Sequence, residues 1–264
     1  MMSPVTVDIQ LPLRETWTPI GAAHVHAWVV GAWAPPPVTT PLVMLLPGLG
    51  LPSYTRRTAH ALARLGLTCA VLDLPGFGTR ADPGSPPDIT SVGRAAASWV
   101  LSHGTGRPLI VVGHSTGAQA ALGTALLVQE ERDDMALVMA GPTFRPRHRH
   151  LAALAGAAPA AYRKDRLGEL VVLPDAARGR LGVLSLLRSG MRDAPERRLS
   201  ALTVPLTVTA GENDAFATQQ WLATLAAAAV RSPRVRTVVA PGSHNNLYTH
   251  PVEVATVIAD SLGG

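Results

Sequence analysis

Short apolar runs alternate along the chain with longer stretches whose apolar residues recur at helical spacing. The apolar runs lie at residues 42–46, 69–72, 109–112, 136–139, 206–209 and 235–239. Consecutive apolar positions over this length are typical of strands buried on both faces of a parallel sheet. Helix-length stretches at residues 53–65, 89–102 and 117–129 separate several of these runs. The pattern therefore predicts an α/β protein with a mostly parallel, doubly wound sheet and helices on both of its faces.

The N-terminal part of the chain follows a different pattern. Residues 5–11 and 24–30 alternate between apolar and polar positions more than the later runs do. Such alternation is typical of strands with one buried and one solvated face. We therefore expect both segments to form antiparallel strands at one edge of the sheet.

One long segment, residues 141–200, interrupts the alternation of strands and helices. It contains no clear strand, and prolines break its short helical patterns. A structureless loop of this length is uncommon in a compact domain, so we predict a small helical insertion that caps one end of the sheet. The expected organisation is a core domain of residues 1–140 and 201–264 with a cap or lid of residues 141–200.

Composition places the chain among globular proteins. It has 264 residues, of which 47% are hydrophobic and 16% charged, whereas disordered chains are poor in apolar groups and rich in charge. A chain of this length buries a sizeable core without disulfides or metals. Its single cysteine, Cys69, excludes an intrachain disulfide, and its place in a predicted strand indicates a buried apolar role.

The clearest chemical motif lies between a predicted strand and a predicted helix. It reads Gly113-His114-Ser115-Thr116-Gly117, which is G-x-S-x-G in the setting that a nucleophile elbow requires. A sharp turn at this place exposes the serine hydroxyl, and the helix N-terminus directs free N–H groups at any negative charge that develops there. A serine that merely caps the helix is the alternative interpretation of the motif alone.

Two more polar turns follow later predicted strands. Asp214 ends the turn Ala-Gly-Glu-Asn-Asp after residues 206–209, and His244 ends Pro-Gly-Ser-His after residues 235–239. Together with Ser115, this order and setting resemble the α/β-hydrolase family.

The resemblance to the α/β-hydrolases spans about residues 5–262 and implies a role for each polar group. It implies that Ser115 is the nucleophile, that His244 is the base, and that Asp214 orients the imidazole. Glu212 and His250 remain alternatives for the acid and the base.

The same resemblance implies an oxyanion hole made of backbone N–H groups. One donor is Thr116, which follows the nucleophile, and the other is Leu49, which follows an early strand. Where the family commonly has His-Gly, this chain has Pro47-Gly48. Because the expected donor is the backbone N–H of Leu49, the replacement of histidine by Pro47 does not prevent an oxyanion hole from forming.

Two other polar residues near these motifs are expected to be structural. His114 adjoins the nucleophile and is expected to be a packed neighbour of the site rather than a catalyst. Asp73 belongs to the turn Asp-Leu-Pro-Gly-Phe-Gly, and we expect it to tie down a loop near the site. Contact with the substrate is the alternative role for Asp73.

A serine at the elbow indicates acyl transfer, since dehalogenases and epoxide hydrolases of this fold place an aspartate there. We therefore expect a serine hydrolase that cleaves a carboxylic ester, lactone or thioester through an acyl-enzyme, without a cofactor. The alternatives are a natural-product pathway enzyme (a carrier-linked thioesterase, a cyclase or a C–C bond hydrolase) and, from another class, a non-catalytic binding module on the same fold.

Metal and nucleic-acid partners are not expected. The pairs His24/His26 and His148/His150 lack a cysteine or carboxylate at ligand spacing. The basic stretch of residues 145–150 lies in no recognised nucleic-acid-binding module and is interpreted as a solvated loop.

The net charge of +5 is unevenly distributed. Residues 141–200 hold 12 basic and 5 acidic side chains, a net +7, whereas the rest of the chain carries a net −2. As a hypothesis, the predicted cap therefore favours an anionic small acyl substrate, an acidic carrier protein or an anionic surface. Arginines that only keep a surface helix soluble are the alternative interpretation.

The ends and the apolar runs bear on location. The N-terminus has neither a basic region nor an apolar core of the signal-peptide kind, and no uncharged apolar run reaches about 18 residues. The expectation is a cytoplasmic protein with no transmembrane segment. The oligomeric state is left open.

Overall fold

Eight strands form one sheet in the part of the chain that the computed structural model describes, namely residues 13–21, 23–31, 40–77, 84–104, 106–161 and 173–263. The strands are β1 (Leu13–Ile20), β2 (Ala23–Val30), β3 (Leu42–Leu46), β4 (Thr68–Asp73), β5 (Leu109–His114), β6 (Met135–Ala140), β7 (Leu206–Gly211) and β8 (Val235–Ala240). Their order across the sheet is β1-β2-β4-β3-β5-β6-β7-β8. The pairs β1/β2 and β2/β4 are antiparallel and all the others are parallel, which confirms the predicted fold class.

Helices cover both faces of this sheet. They are α1 (Arg56–Arg64), α2 (Ile89–His103), α3 (Thr116–Val128), α4 (Leu151–Ala161), α5 (Leu173–Arg192), α6 (Pro195–Arg198), α7 (Gln219–Ala228), α8 (Asn246–Thr249) and α9 (Pro251–Ala259). On β3, Leu42, Met44 and Leu46 join the apolar cluster that contains α2, α3 and α7. Val43 and Leu45 point to the opposite cluster, which contains α1 and α9. Strands that are apolar at every position therefore feed two separate cores.

The N-terminal edge matches the expectation only in part. The predicted strand at residues 24–30 is present as β2 and is antiparallel to its neighbours. The predicted strand at residues 5–11 lies outside the described residues. The strand that pairs with β2 on its outer side is instead β1, which the sequence pattern did not identify because Arg14 and Glu15 lie in it and most of its positions are partly or fully exposed.

The segment predicted as a cap runs between β6 and β7. Among its described residues, the regular elements are all helical: the short 3-10 helices Pro146–His148 and Leu199–Ala201, together with α4, α5 and α6. Three hydrogen bonds tie α5 to the elements around the sheet, one of them from the Ile89 N–H at the start of α2 to Ser189 Oγ over 3.0 Å. Gln119 Nε2 donates to the Gly190 carbonyl over 2.9 Å, and the Ser53 N–H donates to Asp175 Oδ2 over 3.0 Å.

Among the residues that the structure describes, no helix is both long enough and apolar enough to span a bilayer.

Candidate active site

The predicted site residues meet at one edge of the sheet, where the parallel strands end. Leu49 follows β3, Ser115 follows β5, Asp214 follows β7 and His244 follows β8. Because parallel strands present their carboxyl ends at the same edge, residues far apart in sequence are brought together there.

The turn from β5 into α3 has the geometry of a nucleophile elbow. Ser115 has φ 56° and ψ −123°, a conformation that side-chain-bearing residues rarely adopt. A Cβ added to Gly113 would lie 2.2 Å from the Gly117 carbonyl oxygen, and one added to Gly117 would lie 2.3 Å from the Leu46 carbonyl oxygen. The two glycines are therefore required because strand, turn and helix approach too closely for any side chain. Ser115 itself is partly exposed.

His244 lies between the serine and the aspartate. Its Nε2 is 3.1 Å from Ser115 Oγ, and its Nδ1 is 2.8 Å from Asp214 Oδ2. His244 and Asp214 are 3% and 5% exposed, so their hydrogen bond is shielded from water. The Phe216 ring packs nearly perpendicular to the imidazole, at 84° and with the ring centroids 5.0 Å apart.

The surroundings of Asp214 keep its side chain charged. Burial alone would raise the pKa of Asp214, but the charge of His244 and hydrogen bonds outweigh burial and lower that pKa. Asp214 Oδ1 accepts from the N–H groups of Phe216 and Ala217 over 2.8 and 3.0 Å, while Oδ2 faces His244. The carboxylate is therefore fixed in place with one oxygen left for the imidazole.

The alternative acid and base lie elsewhere. Glu212 is exposed, and its carboxylate accepts from Asn213. The His250 ring is hydrogen-bonded to Thr249 at the start of α9. Neither makes the contacts with Ser115 or with the imidazole that Asp214 and His244 make.

The two expected oxyanion donors also meet at the elbow. The Thr116 N–H lies at the first position of α3, where a helix offers it no acceptor. The Leu49 N–H donates to the hydroxyl of Thr116 over 2.6 Å. Leu49 has φ 53°, so its peptide is held in a left-handed conformation that is unusual for leucine. Nothing in the sequence indicates that a side chain of the elbow accepts from this amide.

His114 is buried against the site, as expected, at 2% exposure. Burial, and after it the charge of His244, lower the pKa of His114 to about 3, so the ring is neutral. Tyr54 Oη lies 2.6 Å from Nδ1 of this ring, and no motif marks this tyrosine in the sequence. A tyrosine six residues after Gly48 gives no signal without knowledge of where the short 3-10 helix Pro52–Thr55 turns the chain.

Asp73 has a structural partner on the neighbouring strand β2. Its Oδ2 is 3.1 Å from Nδ1 of His26, both side chains are 0% exposed, and the pair links β4 to β2. Glu15 lies 3.6 Å from the other nitrogen of His26. The spacing of these residues in the sequence does not indicate that carboxylates approach this histidine.

No group of three or more residues able to hold a metal ion occurs within the described ranges.

The basic stretch at residues 145–150 is less solvated than predicted. His148 is 6% exposed, and Arg145 Nη2 donates to the Ala215 carbonyl over 2.9 Å. Arg149 forms a 2.6 Å ion pair with Glu196. Part of this stretch therefore packs beside the loop that carries Asp214, because arginine side chains bridge carbonyl groups that a shorter residue would not reach.

Cys69 is fully buried, and burial raises the pKa of its thiol to about 12.

The part of the chain that forms this site is similar to known proteins. The family model described as "Alpha/beta hydrolase family" matches residues 43–257. No curated protein sequence matches the chain.

Solved structures share the fold at low sequence identity. A hydrolase from Pseudomonas aeruginosa PA01 is 16% identical with a TM-score of 0.74, and the match covers 95% of this chain and 99% of that one. Proline iminopeptidase of Mycobacterium smegmatis is 19% identical with a TM-score of 0.71, over 94% and 97% of the two chains. The thioesterase domain from the curacin biosynthetic pathway is 16% identical with a TM-score of 0.64, over 94% and 99%.

Proposed function

Because the chain belongs to the alpha/beta hydrolase family, we propose that it is a serine hydrolase that cleaves a carboxylic ester, lactone or thioester through an acyl-enzyme. One observation carries this proposal. His244 is hydrogen-bonded to Ser115 Oγ over 3.1 Å and to Asp214 over 2.8 Å. This arrangement lets the imidazole take the proton of the serine hydroxyl while the carboxylate stabilises the charge that results.

The first half of the reaction forms the acyl-enzyme. Ser115 Oγ attacks the carbonyl carbon while its proton passes to His244 Nε2. The carboxylate of Asp214 stabilises the charged imidazole through the hydrogen bond to Nδ1. The tetrahedral intermediate then collapses, the bond to the leaving alkoxide or thiolate breaks, and the leaving group takes the proton from His244.

The second half repeats these steps with water. A water molecule gives its proton to His244 Nε2 and attacks the acyl carbon. The bond to Ser115 Oγ breaks, the proton returns to that oxygen, and the carboxylic acid leaves. No cofactor is needed for this balance of atoms and charge.

The oxyanion of each intermediate would be held by the N–H groups of Thr116 and Leu49. In the structure, the Leu49 N–H donates to the neutral Thr116 hydroxyl. A charged oxyanion is a stronger acceptor than a hydroxyl, so it would take over this hydrogen bond. Loss of one such donor typically lowers turnover by ~10²–10³.

A panel of nitrophenyl esters with different acyl lengths tests the proposal. We expect turnover by the wild-type protein and its loss in Ser115→Ala. Ser200→Ala, which changes an exposed serine outside the site, serves as the matched control and should retain wild-type turnover. Activity that survives Ser115→Ala would end the nucleophile assignment.

Residues 141–200 are proposed to form the cap over this site and to bias it toward anionic substrates. In the described part of this segment, each acidic side chain lies against an arginine: Asp175 with Arg178, Asp193 with Arg198, and Glu196 with Arg149. Arg147, Arg188 and Arg192 remain exposed. The field outside the cap is therefore positive, which favours negatively charged substrates.

This charge favours a second candidate, a thioesterase that acts on acyl groups bound to an acidic carrier. Such an enzyme would ignore simple esters but would still react with a fluorophosphonate at Ser115. Its rate with a carrier-bound thioester should fall as salt screens the arginines. A rate that is independent of ionic strength would contradict steering by the cap.

A further inference from the structure

Beside the proposed catalytic groups lies a buried series of hydrogen bonds that the mechanism does not use. The Gly48 N–H donates to Tyr54 Oη over 2.7 Å, and Tyr54 Oη lies 2.6 Å from His114 Nδ1. On the far side of the ring, His114 Nε2 lies 2.9 Å from the carbonyl oxygen of His244. Tyr54 and His114 are only 5% and 2% exposed.

The chemistry of these groups fixes where each proton lies. A carbonyl oxygen only accepts, so His114 Nε2 must carry the hydrogen that bonds to His244. The buried ring is neutral, so its Nδ1 is an acceptor. The single hydroxyl proton of Tyr54 therefore points to Nδ1, and a lone pair of Oη remains for the Gly48 N–H.

One end of the series holds the loop that provides an oxyanion donor. Gly48 immediately precedes Leu49, whose left-handed conformation needs support from its surroundings. A Cβ added to Gly48 would lie 2.9 Å from Ser115 Cβ and 3.1 Å from Tyr54 Oη, so loop, nucleophile and tyrosine are in close contact. A shift of the Gly48 amide would therefore move the neighbouring donor relative to the serine.

The other end holds the base. The carbonyl of His244 accepts from His114, and the N–H of His244 donates to the carbonyl of Ala161 over 3.3 Å. Both peptide groups of the base are thus fixed. The rings of His114 and His244 also lie with their centroids 5.1 Å apart.

We propose that Tyr54 and His114 are positioning residues that set the distance between the oxyanion donor at Leu49 and the base His244. The proposal rests on the proposed function and deepens it, since it assigns residues that align the two halves of the site. The Tyr54 hydroxyl and both ring nitrogens of His114 provide the alignment, without touching the reacting atoms.

Tyr54→Phe tests the role of the hydroxyl, because the ring that packs in the core is retained. A misplacement of about 1 Å at a reacting centre lowers the rate by as much as about 100-fold. We therefore expect kcat for a nitrophenyl ester to fall by about 10- to 100-fold, with KM changed less than about 2-fold. Tyr248→Phe makes the same chemical change on a tyrosine outside the series and should leave both constants unchanged.

His114→Gln provides a second, independent variant. A glutamine amide retains a donor for the His244 carbonyl but offers no ring nitrogen to Tyr54, so we expect a drop in kcat similar to that of Tyr54→Phe. Because both changes interrupt the same series, the double variant should lose about as much as the worse single variant. Losses that multiply in the double variant would show that the two residues act separately and would overturn the proposal.

The outcomes separate this inference from the proposed function. Turnover that survives Ser115→Ala would refute the proposed function, and the positioning proposal would fall with it. Turnover that depends on Ser115 but keeps wild-type kcat in folded Tyr54→Phe would refute only the positioning proposal. A lower unfolding temperature with unchanged kcat would likewise assign Tyr54 a purely structural role. If Tyr54→Phe does not fold, His114→Gln is judged by the same criteria.

Discussion

Acid should weaken the folded state through His114, because the pKa of this buried histidine is lowered from 6.5 to about 3. Between these two values the unfolded chain binds a proton at this position and the folded chain does not. Stability is therefore fully present above about pH 6.5 and is lost as the pH falls toward 3. At about pH 5 the solution lies about 1.5 pH units below the pKa of the unfolded ring. Binding a proton only in the unfolded chain over this interval lowers the free energy of unfolding by about 2 kcal/mol.

Urea unfolding at about pH 8 and about pH 5 measures this loss. We compare the difference between the two pH values in the wild type with the same difference in His114→Gln. Other titrating groups are common to both proteins, so the wild type should show a difference larger by about 2 kcal/mol. His150→Gln removes an exposed histidine and should behave like the wild type.

The result that would refute this reasoning is equal pH dependence in the wild type and in His114→Gln. It would mean that the folded protein protonates His114 as readily as the unfolded chain does. Below about pH 6.5 the ring would then carry a proton on Nδ1 and could not accept from Tyr54, because a protonated ring has no acceptor.

Three further predictions concern the acid, the elbow and the cysteine. Asp214→Asn should lower kcat by about 10³- to 10⁴-fold in steady-state assays with little loss of structure, because the charged imidazole loses its carboxylate. Gly117→Ala places a Cβ 2.3 Å from the Leu46 carbonyl oxygen and should lower the unfolding free energy by about 3 kcal/mol or more in urea, whereas Gly156→Ala, with no atom within 4 Å in α4, should be neutral or stabilising. Cys69, buried and with its pKa raised to about 12, should resist thiol reagents until the protein is unfolded; rapid labelling of the native protein would contradict its burial.

The parallel part of the fold could be predicted because its strands are apolar at every position. Val111 and Val112 point to opposite faces of the sheet and are both buried, so a run of apolar residues identifies the strand without any knowledge of its neighbours. β1 could not be found in this way. Arg14 and Glu15 are tolerated in it because it is an edge strand, and its position depends on pairing with β2.

The residues proposed to carry the reaction could also be singled out, because each follows a predicted strand in a recognisable turn. Ser115, Asp214 and His244 lie together in the structure as their order implied. The contacts that align them had no such signal. The hydroxyl of Thr116 reaches the loop after β3 only through the tertiary fold. The hydroxyl of Tyr54 reaches the same loop through the turn of the 3-10 helix Pro52–Thr55, which no sequence motif marks.

Charge was the least predictable feature of the site region. A run of basic residues looks solvated in sequence, yet Arg145 is half-buried and bridges to the Ala215 carbonyl. Its acceptor lies 70 positions away in sequence, so only the three-dimensional structure shows the contact.

Mass spectrometry after reaction with a fluorophosphonate tests the central claim most directly. The wild-type protein should gain a single phosphonyl adduct, and peptide mapping should place it on Ser115. Folded Ser115→Ala should gain none. A folded wild-type protein that stays unmodified, or an adduct on any other residue, would contradict the claim that Ser115 is an activated nucleophile.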